Sequence, residues 1–224
     1  MSQLDTILKD LKALGDPRAV AIWKKVGMNT DKYFGVNLSK LKTYAKKYKK
    51  NHELALELWE SGYHDARLLA TMLEEPKKSA EAQIEKWLVD CDFWDLNNKL
   101  CSEVIINTPF AQKKIDTWLK SKKEMVRRAA YMTVVGLAKE NDTLPDTFFE
   151  PYLTKVEKEI AKEANWVREA MNYLLIYVGS RNKELGKKTL KVAEKIGKVE
   201  IDYGESSCQA PDAVVYIQKA IAKK

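Results

Sequence analysis

The side chains best suited to chemistry crowd one stretch, Trp87-Leu88-Val89-Asp90-Cys91-Asp92-Phe93-Trp94-Asp95-Leu96-Asn97-Asn98, where aromatic rings stand among three aspartates and two asparagines. A packed core rarely tolerates that mixture, because a buried carboxylate must be paired or it neutralises. The stretch therefore reads as a site made of aromatic faces, carboxylates and amides. Other chemistries lack their residues. Cys91, Cys101 and Cys208 show no CxxC spacing, and His52 and His64 lie twelve residues apart with no carboxylate pattern beside them, so neither a metal centre nor a cofactor is expected. The chain carries no dinucleotide GxGxxG, no phosphate-binding GxxxxGK[ST] and no GxSxG nucleophile turn.

The elements that must position these residues read as helices almost throughout. Apolar residues recur at steps of three and four at Leu4, Ile7, Leu8, Leu11 and Leu14, at Leu54, Leu56, Leu58 and Trp59, at Leu68, Leu69, Met72 and Leu73, and at Ile84, Trp87 and Leu88. Helix starts are signalled at Asp16-Pro17, Asn37, Ser79, Thr108-Pro109 and between Asp142 and Pro145. The segment from Lys198 to Tyr203 alternates like a short extended piece that ends at Gly204. With 224 residues, 45% hydrophobic, and only nine Gly and six Pro, the chain is expected to form a single repeat domain over 1–224 with a short C-terminal extension from about 198. The longest apolar run, near residues 134–138, is too short to cross a bilayer. The start, Met1-Ser2-Gln3-Leu4-Asp5, lacks a basic-then-apolar leader pattern, and the odd thiol count suits a reducing compartment, so a cytoplasmic location is expected.

A near-repeat shows how the helices should stack. Met125-Val126-Arg127-Arg128-Ala129-Ala130-Tyr131 returns 41 residues later as Trp166-Val167-Arg168-Glu169-Ala170-Met171-Asn172. A period near 40 fits a two-helix solenoid unit, so the fold expected is an all-α solenoid of HEAT-like antiparallel helix pairs. The net charge of +7 suits a polyanion binder. Its distribution adds weight: only six of the 39 basic residues are arginine, and Arg127, Arg128 and Arg168 sit in the two repeat copies, at a groove edge or in ion pairs between repeats. The lysine runs Lys46-Lys47-Tyr48-Lys49-Lys50 and Lys113-Lys114 are solvated faces or phosphate contacts.

These segments resemble the HEAT-like-repeat DNA glycosylases of the DNA alkylation repair group. The resemblance rests on Phe93-Trp94-Asp95-Leu96-Asn97-Asn98, on Val126-Arg127-Arg128-Ala129-Ala130, and on Trp166-Val167-Arg168-Glu169-Ala170-Met171-Asn172-Tyr173, and it spans about residues 17–180. It implies removal of cationic 3- or 7-alkylated purines from double-stranded DNA held in a basic concave groove, without a metal or a membrane. Aromatic faces there would stabilise an oxocarbenium-like sugar, with a carboxylate opposing its charge and positioning water. Carried over by position, the aromatics fall on Trp94, Tyr173 and Trp23, and a DNA-backbone contact falls on Arg128. The position of the family's catalytic carboxylate is Asn98, an amide that orients water but carries no charge. A neighbouring Asp95, Asp92 or Asp90 would have to substitute. Three functions stand open from the sequence: an alkylpurine DNA glycosylase, a paralogue without catalysis that binds damaged, bent or branched DNA, and a protein-interaction scaffold.

Overall fold

A computed structural model describes residues 2–28 and 31–223. Among the described residues it contains thirteen α-helices and no strand. The chain forms two compact units: Met1–Phe110 with Tyr203–Ser206, and Ala111–Asp202 with Ser207–Lys224.

The first unit holds α1 (Gln3–Leu14), α2 (Pro17–Lys25), α3 (Leu38–Ala45), α4 (His52–Glu60), α5 (His64–Leu73), α6 (Glu81–Asp90) and α7 (Trp94–Lys99). Short polar side chains start most of these helices by taking up orphan backbone N–H groups. Ser2 and Asp5 form a reciprocal capping box on α1, Asp16 caps α2 with Pro17 at its first position, and Asn37 and Asn51 cap α3 and α4. The expected start at Ser79 shifts by one residue, since Ala80 precedes α6 without a side-chain cap. α4 packs on α5 through Leu54, Leu58, Trp59, Leu68 and Leu69, all buried. Trp59 stacks on Trp87 with ring centres 4.1 Å apart and planes within 4°. Past α7 the backbone widens into a π-helical turn, Leu100–Val104, a feature that re-aims the residues beside it and is frequent at functional sites.

The second unit holds α8 (Ala111–Leu119), α9 (Glu124–Glu140), α10 (Asp146–Glu159), α11 (Asn165–Gly179), α12 (Lys183–Ile196) and α13 (Ala213–Ala222). The two repeat copies are α9 and α11, which lie side by side and parallel. At their starts the Trp166 N–H donates to Glu124 (2.7 Å), and at their ends Arg181 donates to the carbonyls of Ala138 and Asn141. Partners 40 to 43 residues apart at both ends fix the register. Gly179 lets α11 approach α13, since a Cβ there would sit 2.9 Å from Ile217.

The Lys198–Tyr203 segment forms no strand. Its backbone finds a side chain instead of a neighbouring strand: the Asn165 amide donates to the Asp202 carbonyl and accepts from the Asp202 N–H, each at 2.8 Å. Further on, the Asn172 amide donates to the Pro211 carbonyl at 2.8 Å. At Gly204, φ is +63° and a Cβ would lie 2.5 Å from the Lys25 carbonyl oxygen, so only glycine fits there without strain. The Glu205 N–H then donates to that same carbonyl at 3.0 Å. No described helix is long and apolar enough to cross a membrane.

Candidate nucleic-acid site

The polar-aromatic stretch divides into two halves with different jobs. Its first half is structural. Trp87 is buried against Trp59, whose indole N–H donates to Asp90 at 2.9 Å. Arg67 lies over the Trp59 ring and donates to the Trp59 and Asp90 carbonyls. Cys91 is buried, and that burial pushes its thiol pKa well up, which leaves it an inert core thiol.

The second half opens α7 and meets residues from three other places. Met28, Tyr33 and Phe93 form a buried cluster, and Val20, Trp23, Val26 and Trp94 pack against it. Trp23 and Trp94, two of the aromatics expected from the sequence, thus belong to one half-buried aromatic group. Trp23 lies 5.8 Å from Tyr33 and 5.7 Å from His64, ring to ring, and Phe93 lies 5.5 Å from Trp94. The Tyr33 loop is held by Asp65, a fully buried carboxylate that accepts from the Phe34 and Val36 N–H groups at 2.6 and 2.7 Å. Gly35, between those donors, has a φ of +79° and passes so close to α2 that a Cβ would lie 2.5 Å from the Asp16 carbonyl oxygen.

His64 is the participant that sequence reasoning missed. It is buried, and its Nε2 lies 3.1 Å from both oxygens of Asp95, which is itself a quarter exposed. Burial pushes the imidazole pKa down. The hydrogen bond to Asp95 and the charges of Asp95, Asp65 and Asp92 outweigh it, so the pKa is raised. His64 Nδ1 and the Tyr33 hydroxyl are buried with no partner among the described residues, so this aromatic group offers two unspent hydrogen-bonding atoms. The sequence signal was an offset: Phe34–Asp65, Trp59–Asp90 and His64–Asp95 are all 31 residues apart.

A raised folded-state pKa means that His64 stabilises the fold fully below its unfolded value of about 6.5 and loses that contribution as pH rises through the folded value. The difference in thermal stability between wild type and His64→Gln should therefore be largest at mildly acidic pH and shrink as the pH is raised. A difference that grows with pH would contradict the His64–Asp95 pairing.

Asn98 is half-buried one turn after Trp94 on the same helix, and Asn97 is buried. Tyr173 lies on α11 in the second unit, half-buried, with its phenol pKa raised mainly by that burial.

The three arginines separate. Arg128, expected on the DNA backbone, has no exposed surface and donates to Glu169 at 2.6 Å, itself almost fully buried. A guanidinium enclosed between α9 and α11 presents nothing to a phosphate. Glu169 occupies the same repeat position as Arg128, 41 residues on, so opposite charges at equivalent positions were the legible sign of an inter-repeat pair. Arg127 is also an inter-repeat pair, donating to Glu163 at 2.9 Å and to the Ser121 carbonyl at 2.8 Å. Arg168 differs: it is half-buried, it meets no carboxylate within ion-pair range among the described residues, and its Nε lies buried with no hydrogen-bond partner among them.

Helix pairs stacked with a repeat near 41 residues place the chain among HEAT-like repeat proteins. The family model for the DNA alkylation repair enzyme matches residues 7–202, and the chain belongs to that family. Two uncharacterized relatives span nearly the whole chain. One, from Listeria innocua, is 29% identical over 222 residues, 97% of this chain and 96% of its own length. The other, from Listeria monocytogenes, is 28% identical over the same shares. Among solved structures, one described as a new family of proteins related to the HEAT-like repeat DNA glycosylases with affinity for branched DNA structures matches with a TM-score of 0.87. It is 26% identical, over 99% of this chain and 95% of that one.

Proposed function

We propose that this protein binds double-stranded DNA and recognises its distorted or branched forms, with little or no base excision of its own. The observation that carries the reading is the fate of the site's charges. Asn98 supplies no charge, and the one carboxylate in the first turn of α7, Asp95, is tied to the buried ring of His64 through both of its oxygens. An aspartate already engaged by an imidazole nitrogen at 3.1 Å is less available to oppose a developing sugar cation than one with no partner. The aromatic faces of Trp23 and Trp94 remain as stacking surfaces for an unstacked or splayed base. Arg168 serves as the phosphate contact, with Tyr173 on the same helix. The family membership and the structural relative with affinity for branched DNA support DNA as the partner.

A second reading, excision of cationic 3- or 7-alkylated purines, is favoured by the packing of Trp23 and Trp94 into one aromatic group and by the quarter of Asp95 that stays exposed. No metal or cofactor enters either reading.

Trp94→Ala separates site from scaffold. Trp94 is half-buried, so its loss should cost less than the roughly 3–5 kcal/mol typical of a core aromatic. Affinity for a four-way junction should fall by about tenfold, the effect of about 1.4 kcal/mol of lost stacking. A collapse in stability with unchanged affinity in the folded fraction would make Trp94 a packing residue only.

A further inference from the structure

A lysine run that takes no part in the aromatic site lies on the first unit, at α3 and just beyond it. Lys40, Lys42, Lys46, Lys47, Lys49 and Lys50 fall within eleven residues, and the sequence carries no acidic residue between Asp31 and Glu53. All six are exposed. Lysines elsewhere pair with carboxylates, as Lys78 does with Glu75, Lys99 with Glu103 and Lys155 with Glu159. None of the six meets a carboxylate within ion-pair distance among the described residues. Lys42, in the last turn of α3, and Lys46, its C-cap, are four residues apart, a spacing at which like charges on a helix repel. Ion pairing within the protein therefore does not account for this density.

The surface has shape as well as charge. α1 and α3 enclose a groove of about 480 Å³ with Lys40 and Lys47 on its lining and Ala13 and Leu14 beneath. Its carboxylate, Asp10, is engaged by the Tyr44 hydroxyl at 2.9 Å, and Tyr48 completes that hydroxyl chain at 3.0 Å. Lys47 lies over the Tyr44 ring, 4.6 Å from its centre. The Tyr33–Gly35 loop, whose Tyr33 belongs to the aromatic group, precedes α3 in the chain and Lys46, Lys47, Lys49 and Lys50 follow it, so a helix of eight residues, about 12 Å long, runs between that loop and these lysines.

We propose that this lysine surface is a second phosphate-contacting surface, which grips the backbone of a DNA arm other than the arm at the aromatic cluster. The proposal rests on the DNA-binding reading above. A branched substrate offers phosphates in more than one direction, and a polyanion is the partner whose charge complements six unpaired cations. Nothing in the run reads bases, so its contribution is independent of sequence.

The test compares wild type with the Lys46→Gln, Lys47→Gln, Lys49→Gln, Lys50→Gln variant on a four-way junction and on a linear duplex of equal length, across a salt titration. The four positions are exposed, so the melting temperature should be unchanged, and it is measured alongside. Junction affinity should fall by at least tenfold at low salt. The slope of log affinity against log salt should become shallower by up to about four, one for each phosphate that the variant no longer neutralises. Linear-duplex affinity should change by less than about twofold. Equal losses on both substrates would place these lysines on the common duplex path and overturn the second-arm assignment. Unchanged junction binding overturns the surface altogether, and if the wild type also binds phosphatidylserine vesicles through these lysines, its partner is a lipid surface. A wild type that binds neither DNA fails the reading on which the proposal rests, while a wild type that prefers the junction with the variant matching it fails the lysine surface alone.

Discussion

Replacing Asn98 by aspartate should raise release of 7-methylguanine from duplex DNA by about one to three orders of magnitude over a wild-type rate close to the spontaneous one. The amide and the carboxylate are nearly isosteric, so α7 and the half-buried setting of the side chain are retained. What changes is charge. A cationic purine leaves as a neutral base, and the sugar left behind carries the developing positive charge, which the new carboxylate opposes. Asp95 cannot supply the same field while His64 sits 3.1 Å from its oxygens. The measurement is single-turnover excision by wild type, Asn98→Asp and Asp95→Asn. An active wild type that Asn98→Asp leaves unchanged and Asp95→Asn inactivates would make Asp95 the catalytic group and favour the glycosylase.

Arg128→Ala should destabilise the fold by about 3–5 kcal/mol, because it removes the guanidinium that balances the charge of the buried Glu169. For a chain of this size that is a fall of roughly 6–20 °C in melting temperature. Glu169→Gln should act in the same direction with a smaller loss, and the double replacement Arg128→Met, Glu169→Leu should recover much of it, since apolar side chains of similar volume often replace a buried pair at little cost. DNA affinity of the folded protein should change by less than about twofold. Normal stability with affinity lost would return Arg128 to the DNA backbone. Arg168→Ala carries the opposite expectation, near-normal stability with weaker DNA binding and a shallower salt dependence.

The contrast between those two arginines shows what the sequence could and could not convey. The 41-residue recurrence, the helix-period apolar faces and most caps were readable because they are local or repeat in register. α9 and α11 lie where that recurrence puts them. Side-chain partners were harder to read. A motif places Arg128 on a helix, but only packing of that helix on its copy decides whether the guanidinium faces solvent or Glu169. His64 and Asp95 looked unrelated because 31 residues and two helix ends separate them, and it is the approach of α7 to α5 that joins them. The extended pattern at Lys198–Tyr203 misled for a related reason: alternation shows that a segment can extend, while a strand also needs a partner edge, and here Asn165 takes that place.

The most direct test of the central claim is a competition assay in which the wild-type protein, bound to a labelled four-way junction, is challenged with unlabelled junction or with linear duplex of the same length and composition at moderate salt. Junction should compete at least about tenfold better than duplex, a preference of about 1.4 kcal/mol, and prolonged incubation of the protein with DNA containing 7-methylguanine should release base at close to the spontaneous rate. Equal competition by the two DNAs, with rapid base release by the wild type, would contradict DNA-structure recognition without excision.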